Sequence, residues 1–258
     1  PKTYPQLPRF EFFAFYSPAQ SVGGDYYDFI TLPGGRVAVV LGDVAGKGVA
    51  AALLMAKLSA EVRFSMLTEA DPAKAVGLLN DLLIRGGIGD RFVTLALVVI
   101  DPAAEAVTVV NAGHINPLLF RCGADDLCEV ISNAESGLPL GLVPGYEYAA
   151  KSVPLALGES LIVFTDGVTD AEAPDGTRFQ ADGLRNALKA DSVFAVDGRP
   201  HGIGDEVIRA VQRHAAGRAQ SDDIALVCFG RTDGGPSTGA GLGPKLVEPV
   251  SGIIRNVP

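Results

Sequence analysis

The chain contains no tryptophan, only two methionines and three cysteines among 258 residues. Without indole, no aromatic cage built on tryptophan is available. Cys122, Cys128 and Cys228 form no CxxC pair and leave an odd count, which disfavours a structural zinc site. Reduced, buried thiols in a cytoplasmic protein are the expectation. An excess of positive charge is also missing. Lys and Arg total 21 against 30 Asp and Glu, a net charge of −9, which argues against affinity for nucleic acid or anionic membranes. A phosphorylated substrate stays open, because a bound cation reverses the local field. The longest apolar runs, Val49 to Ala56 and Phe92 to Ile100, are too short to insert through a bilayer. The opening PKTYPQLPRF is no signal peptide, and the missing initiator Met fits either processing or, better, excision of this piece from a longer protein.

What is present is a hydrophobic content of 48%, enough for a sizeable core, cut by 31 glycines and 17 prolines into many short elements. Residues 1–8 carry three prolines and read as an extended lead-in or linker. Arg9 to Tyr16 reads as a strand. Tyr26 to Leu32 and Arg36 to Leu41 flank Pro33-Gly34-Gly35 as a hairpin, with Val37, Val39 and Leu41 on one face. From Val49 the period becomes helical. Ala51, Leu54, Met55, Leu58, Val62 and Met66 share one face, and Lys57 and Glu61 pair across one turn. Asp71-Pro72 opens a second helix, which Gly86-Gly87 stops.

Phe92 to Asp101 and Ala106 to Asn111 form a second hairpin, and strands are predicted at Pro117 to Arg121, Cys128 to Ser132, Tyr146 to Val153, Ser160 to Thr165 and Ala225 to Gly230. Helices are predicted over Ala181 to Ala190 and Ile203 to His214. Beyond Arg231, residues 232–258 form a Gly- and Pro-rich tail expected to be flexible. The order of elements argues α+β with mainly antiparallel sheets, the catalytic domain spanning 9–231.

Acidic residues recur in one local setting, a predicted strand edge beside a turn: Asp25 in GGD, Asp43 in GDV, Asp166 in TDG, and Asp222 and Asp223 in SDDI. Any one such Asp is more often a turn residue. If several converge, their charges repel and raise each other's pKa unless cations neutralise them. A set of oxygen donors without Cys or His suits Mg2+ or Mn2+ rather than Zn2+. Two such ions sharing a carboxylate activate a water and clamp a phosphoryl oxygen. Asp43 is the best bridging candidate, since the glycine-rich turn after it leaves its backbone carbonyls accessible.

VGGDYYDF, GDVAGKG, FVTLALVVID, NAGHINPLLF, GLPLGL, VFTDGVTDA and SDDIAL occur in this order. Together they resemble the bacterial SpoIIE/RsbU branch of the PPM (type 2C) metal-dependent protein phosphatases, over about residues 5–231. The resemblance implies two packed antiparallel sheets flanked by helices on both faces. It implies hydrolysis of phosphoserine or phosphothreonine on a bacterial regulatory protein, of the anti-sigma factor antagonist type, by a water activated by two Mn2+ or Mg2+ ions, with a third ion as a variant. On the motif match Asp43 bridges both ions, aided at one by the Val44 carbonyl. Asp25 holds that ion's waters, and Asp166 and Asp222 bind the other. Asp223, Lys47 and Gly167 are secondary candidates. An upstream sensory or receiver domain, or an activator protein, is the implied control, and a homodimer is an admissible assembly.

The chain departs from the wider family at three points. Ala45 stands where eukaryotic relatives carry a His two residues after the bridging Asp, so that side chain supplies no general acid. Asp170 stands where this branch often has Glu. No arginine clamp for phosphate precedes Asp25. GDVAGKG is no P-loop, its spacing being too short and Gly48 replacing Ser or Thr. His114 reads as a loop-structuring residue, and His201 and His214 as surface residues. Tyr26 and Tyr27 are expected to pack beside the first acidic turn. The helix from Val49 reads as core, and in this branch it is associated with switching. The alternative function is a weak or inactive phosphoprotein-binding module of the same fold. A metal phosphodiesterase is a poorer fit, since no base-stacking aromatic or basic subsite lies near the motifs.

Overall fold

The computed structural model describes residues 1, 3–121, 126–189, 199–233 and 245–246. Two sheets account for its strands. The first has five, in the order β2-β3-β4-β5-β8: β2 (Tyr26–Thr31), β3 (Val37–Val44), β4 (Val93–Ile100), β5 (Ala106–Ala112) and β8 (Lys151–Pro154). The second has six, in the order β11-β1-β10-β9-β6-β7: β1 (Phe10–Ser17), β6 (Leu118–Arg121), β7 (Asp126–Glu129), β9 (Glu159–Phe164), β10 (Ile224–Arg231) and the short β11 (Lys245–Leu246). Every pairing is antiparallel except β1 with β11. The five-stranded sheet is covered by α1 (Val49–Thr68) and α2 (Pro72–Arg85). The six-stranded sheet is covered by α4 (Gln180–Ala187) and α5 (Pro200–Ala215), while α3 (Asp166–Thr169) is a single turn after β9. The expected sandwich of antiparallel sheets between helical layers is the observed one.

Strand alternation builds its three hydrophobic layers. Along β3, Val37, Val39 and Leu41 enter the seam between the sheets, whereas Ala38, Val40 and Val44 face α1 and α2. Along β10, Ala225, Val227 and Phe229 enter the seam and Ile224, Leu226 and Cys228 face α4 and α5. α1 buries Ala51, Leu54, Leu58, Val62 and Met66, close to the predicted stripe. Its opposite face also exposes Val49, Leu53, Phe64 and Leu67, so this helix is apolar nearly all round. Lys57 and Glu61 pair at 3.7 Å. α2 starts as its sequence dictates, with the Asp71 side chain accepting from the Ala73 and Lys74 amides.

Some segments differ from expectation, each for a tertiary reason. The predicted strand from Tyr146 forms only at Lys151. Ahead of it the β5 edge is already taken, because the Gly137 amide donates to the Asn111 carbonyl. The strand predicted over Cys128 to Ser132 ends at Glu129, where Pro117 stops its partner β6, and Val130 and Ile131 turn into the core. The two histidines expected at the surface are half-buried. His201 packs edge-on against Tyr4 and Phe13, and His214 bonds the Thr177 carbonyl and packs on Phe179. In the lead-in, Leu7 is buried and the Tyr4 hydroxyl accepts from the Ala14 amide. Most of the expected tail lies outside the described residues, as do Cys122 and Ala190. Thr232 is buried, and Lys245–Leu246 align with Phe15 and Tyr16.

Candidate metal centre

The acidic motifs meet at one end of the sandwich because antiparallel pairing sets strand starts beside strand ends. β2 begins where β3 ends, with Tyr26 opposite Gly42, and β4 begins at Val93 opposite Val44, which sets Thr94 opposite Asp43. On the other sheet Thr165 follows β9 and donates its amide to Ala225 at the start of β10. Alternation then aims the side chains. Asp25 continues the phase of Tyr27 and Phe29, and Asp43 that of Val39 and Leu41, so both reach the rim of the inter-sheet seam. Thr165 and Asp223 continue the seam-facing phases of β9 and β10.

Each group is held differently. Asp25 is 4% exposed, and its Oδ2 accepts from the Thr165 hydroxyl at 2.7 Å. Thr165 in turn accepts from the Ala225 amide at 2.9 Å, which ties Asp25 to the opposite sheet. A Cβ on Gly24 would lie 3.1 Å from the Val44 carbonyl, so the absence of a side chain there lets the Asp25 turn close against Val44. A Cβ on Gly167 would overlap the Asp223 carbonyl. Glycine there lets the turn bearing Asp166 lie directly against the residues leading into β10.

The Asp223 carboxylate is spent on backbone: Oδ1 accepts from the Ala19 amide at 2.8 Å, and Oδ2 from the Gly24 amide at 2.6 Å. It organises the loop that delivers Asp25. Lys47, a secondary candidate, lies 2.9 Å from Asp222 Oδ2 and donates to the Ser221 carbonyl at 2.7 Å.

Sequence reasoning missed Thr165 as a support for Asp25, although it stands within the VFTDGVTDA motif. It also missed Arg91, whose Nε is 3.6 Å from where a Cβ on Gly46 would stand, in the turn after Asp43. Nothing in the spacing of Arg91 marks it.

Charge repulsion makes the cluster costly as it stands. Burial, followed by the neighbouring Asp43 charge, raises the Asp25 pKa well above the carboxylate range. Asp43 is raised to about 6 by burial and then by Asp166 and Asp222, an effect partly offset by a hydrogen bond with Asp25. Asp166 is raised by burial and then by Asp222. Among the described residues no three carboxylate, imidazole or thiol groups are placed so that together they could hold a metal ion. The donor chemistry nevertheless fits a hard divalent cation: several oxygen donors, no sulfur, and mutually repelling charge for which Lys47 is the single close ion-pair partner among the described residues.

A family model described as stage II sporulation protein E (SpoIIE) matches residues 33–232. Protein IcfG of Synechocystis is 29% identical over 90% of this chain and 39% of its own length. The phosphoserine phosphatase RsbU of Bacillus subtilis is 26% identical over 67% of this chain and 50% of its own. The chain therefore spans at most half the length of these two relatives. Among solved structures, the PP2C phosphatase domain of SpoIIE from Bacillus subtilis, with a fragment of its regulatory domain, superposes with a TM-score of 0.70 at 21% identity, covering 89% of this chain and 64% of that one. With the fold, the ordered motifs and the family match in agreement, the chain belongs to the SpoIIE-type family of PP2C-like phosphatase domains.

Proposed function

We propose that this chain is a metal-dependent serine/threonine protein phosphatase acting on a phosphorylated bacterial regulatory protein of the anti-sigma factor antagonist type. The observation that carries the reading is the gathering of Asp25, Asp43, Asp166 and Asp222 from four strand ends to one rim, where burial and the neighbouring carboxylate charges raise the pKa values of Asp25, Asp43 and Asp166. The similarity to RsbU of Bacillus subtilis, a phosphoserine phosphatase, supports the same chemistry. Asp43 and the Val44 carbonyl would hold one ion together with Asp25, and Asp43 would share the second with Asp166 and Asp222. Two Mn2+ or Mg2+ ions bound there supply Lewis-acid polarisation of a phosphoryl oxygen and a water acidic enough to attack phosphorus at neutral pH.

The protein's own contribution is orientation and charge. The Thr165 hydroxyl favours the ionised form of Asp25 by donating to its carboxylate, a partial offset to burial and charge, and Asp223 fixes the loop that carries it. A cation held by Asp222 would take the place of Lys47, which would then be free to face substrate phosphate. Ala45 offers no proton, so the leaving serine alkoxide takes one from solvent. Control by an upstream sensory or receiver domain, or by an activator protein, fits the greater length of the relatives. A cytoplasmic location fits a substrate of this type, and among the described residues no helix is long and apolar enough to cross a membrane.

The test is manganese-dependent phosphate release from a phosphoserine peptide. Asp43→Asn should lower it at least about 100-fold, a deficit of roughly 2.7 kcal/mol in barrier terms. Undiminished turnover by that variant at saturating metal overturns the reading. Ala45 favours the second reading, a phosphoprotein-binding module. Calorimetry that finds no Mn2+ binding alongside tight capture of a phosphopeptide would select it.

A further inference from the structure

β5 ends at Ala112, and the loop after it is bracketed by one side chain. Asn111 Oδ1 accepts from the His114 amide at 2.8 Å, and its Nδ2 donates to the His114 carbonyl at 2.9 Å and to Asn116 Oδ1 at 3.1 Å. His114 is thereby held with its ring in the seam, 6% exposed. Nδ1 lies 2.8 Å from the Thr94 hydroxyl and Nε2 lies 3.1 Å from the Phe164 carbonyl.

A carbonyl only accepts, so the proton sits on Nε2. Nδ1 is then left to accept from the Thr94 hydroxyl, provided the ring is neutral. Neutrality follows from its setting, buried with no carboxylate among its bonding partners, and burial lowers its pKa to about 4.

Both contacts lie one step from the acid cluster. Thr94 is the residue paired with Asp43 across β3 and β4. Phe164 immediately precedes Thr165, which holds Asp25, and Asp166 follows. The ring is therefore a rigid strut between the two sheets directly beneath the rim.

We propose that His114 is a positioning residue whose ring sets the spacing between the Asp43 edge of one sheet and the Asp166 edge of the other. This rests on the metal-dependent reading above. Two half-sites on separate sheets need a common ruler, since misplacement by about 1 Å costs on the order of 100-fold in rate. The same logic governs groups that orient metal ligands from behind.

The experiment compares the full chain with His114→Phe, His114→Gln and Thr94→Val. Mn2+ affinity is read by calorimetry, kcat and KM on a phosphoserine peptide, and stability by thermal unfolding. His114→Phe should weaken Mn2+ binding about tenfold and lower kcat about 30-fold or more with KM within about twofold, because no substrate contact is touched. His114→Gln, whose amide reaches the Phe164 carbonyl, should recover most of the loss. Thr94→Val should move in the same direction as His114→Phe, and the two together should add little.

In the unaltered protein, long-range 15N–1H spectra should show Nε2 protonated and Nδ1 bare. The opposite tautomer overturns the proposal even if His114→Phe fails to fold. A His114→Phe protein with a lower Tm but wild-type Mn2+ affinity and kcat reduces the ring to packing and overturns this inference alone. An unaltered chain that neither binds Mn2+ nor releases phosphate overturns the functional reading and this inference with it.

Discussion

With Asp25, Asp166 and Asp222 around it, the Asp43 carboxyl titrates at about 6 rather than in the ordinary carboxylate range. A folded-state pKa above the unfolded one means the native state holds its proton more tightly. That contribution to stability is present below about pH 4 and is lost as pH rises through about 6. Asp43→Asn should therefore raise the Tm of the metal-free protein, and by more at pH 7 than at pH 5. Comparing the two proteins matters because His114 acts in the opposite sense: its depressed pKa adds stability as pH rises from about 4 toward 6.5. Thermal scans in chelator at both pH values decide it, and an equal gain at the two refutes the charge-repulsion account.

Thr165 gives a second test at this scale. Thr165→Val leaves the Ala225 amide buried without a partner and removes the donor to Asp25. A loss of about 1–3 kcal/mol is expected in denaturant unfolding, together with weaker Mn2+ binding. Unchanged metal affinity would mean that Asp25 needs no such support.

At the scale of elements, α1 is tied to the β2–β3 hairpin by a buried charge. Asp28, 2% exposed, accepts from Arg63 Nη2 at 2.7 Å, from the Tyr26 hydroxyl at 2.8 Å and from the Phe29 amide. Arg63→Leu strands that carboxylate and should cost about 2 kcal/mol, less than a wholly buried pair because Arg63 is itself half exposed. Adding Asp28→Asn should restore most of it, which a double-mutant cycle measures directly.

The elements also show what could be read in advance. The hairpins, α1 and the Asp71 cap were legible because each is written in short-range periodicity or capping chemistry. Asp25 and Asp43 were legible by their setting, each at a predicted strand edge beside a turn, and the alternation that sends Phe29 and Leu41 inward accounts for where they point. The truncated β8 was not, because its missing partner edge is taken by Gly137 from another loop. Nor was the fate of Asp223 beside Asp222. Adjacent acids on a strand lead-in point opposite ways, and which one meets backbone amides depends on a loop 199 positions earlier. His201 misled in the same manner, its aromatic neighbours Tyr4 and Phe13 arriving from the far end of the chain.

For the whole molecule, a candidate centre that binds a cation would act on stability as well as on chemistry. A ligand at 100 times its Kd that binds only the native state adds about 2.7 kcal/mol. For a domain of this size that corresponds to a rise of roughly 5–10 °C in Tm. Saturating Mn2+ should produce such a rise in the unaltered chain and little in Asp43→Asn, as read by calorimetry.

The seam that joins Asp25 to Thr165 bridges positions 140 residues apart. This hydrogen bond joins one sheet to the other, so we expect it to close after each sheet has formed and to contribute little to the folding barrier. A cation gripping both edges would then act on one limb of the kinetics: unfolding slows while refolding proceeds at the metal-free rate. Stopped-flow refolding with and without Mn2+ separates the limbs. The rim of the sandwich would in that case work as a latch, fastened last and opened first.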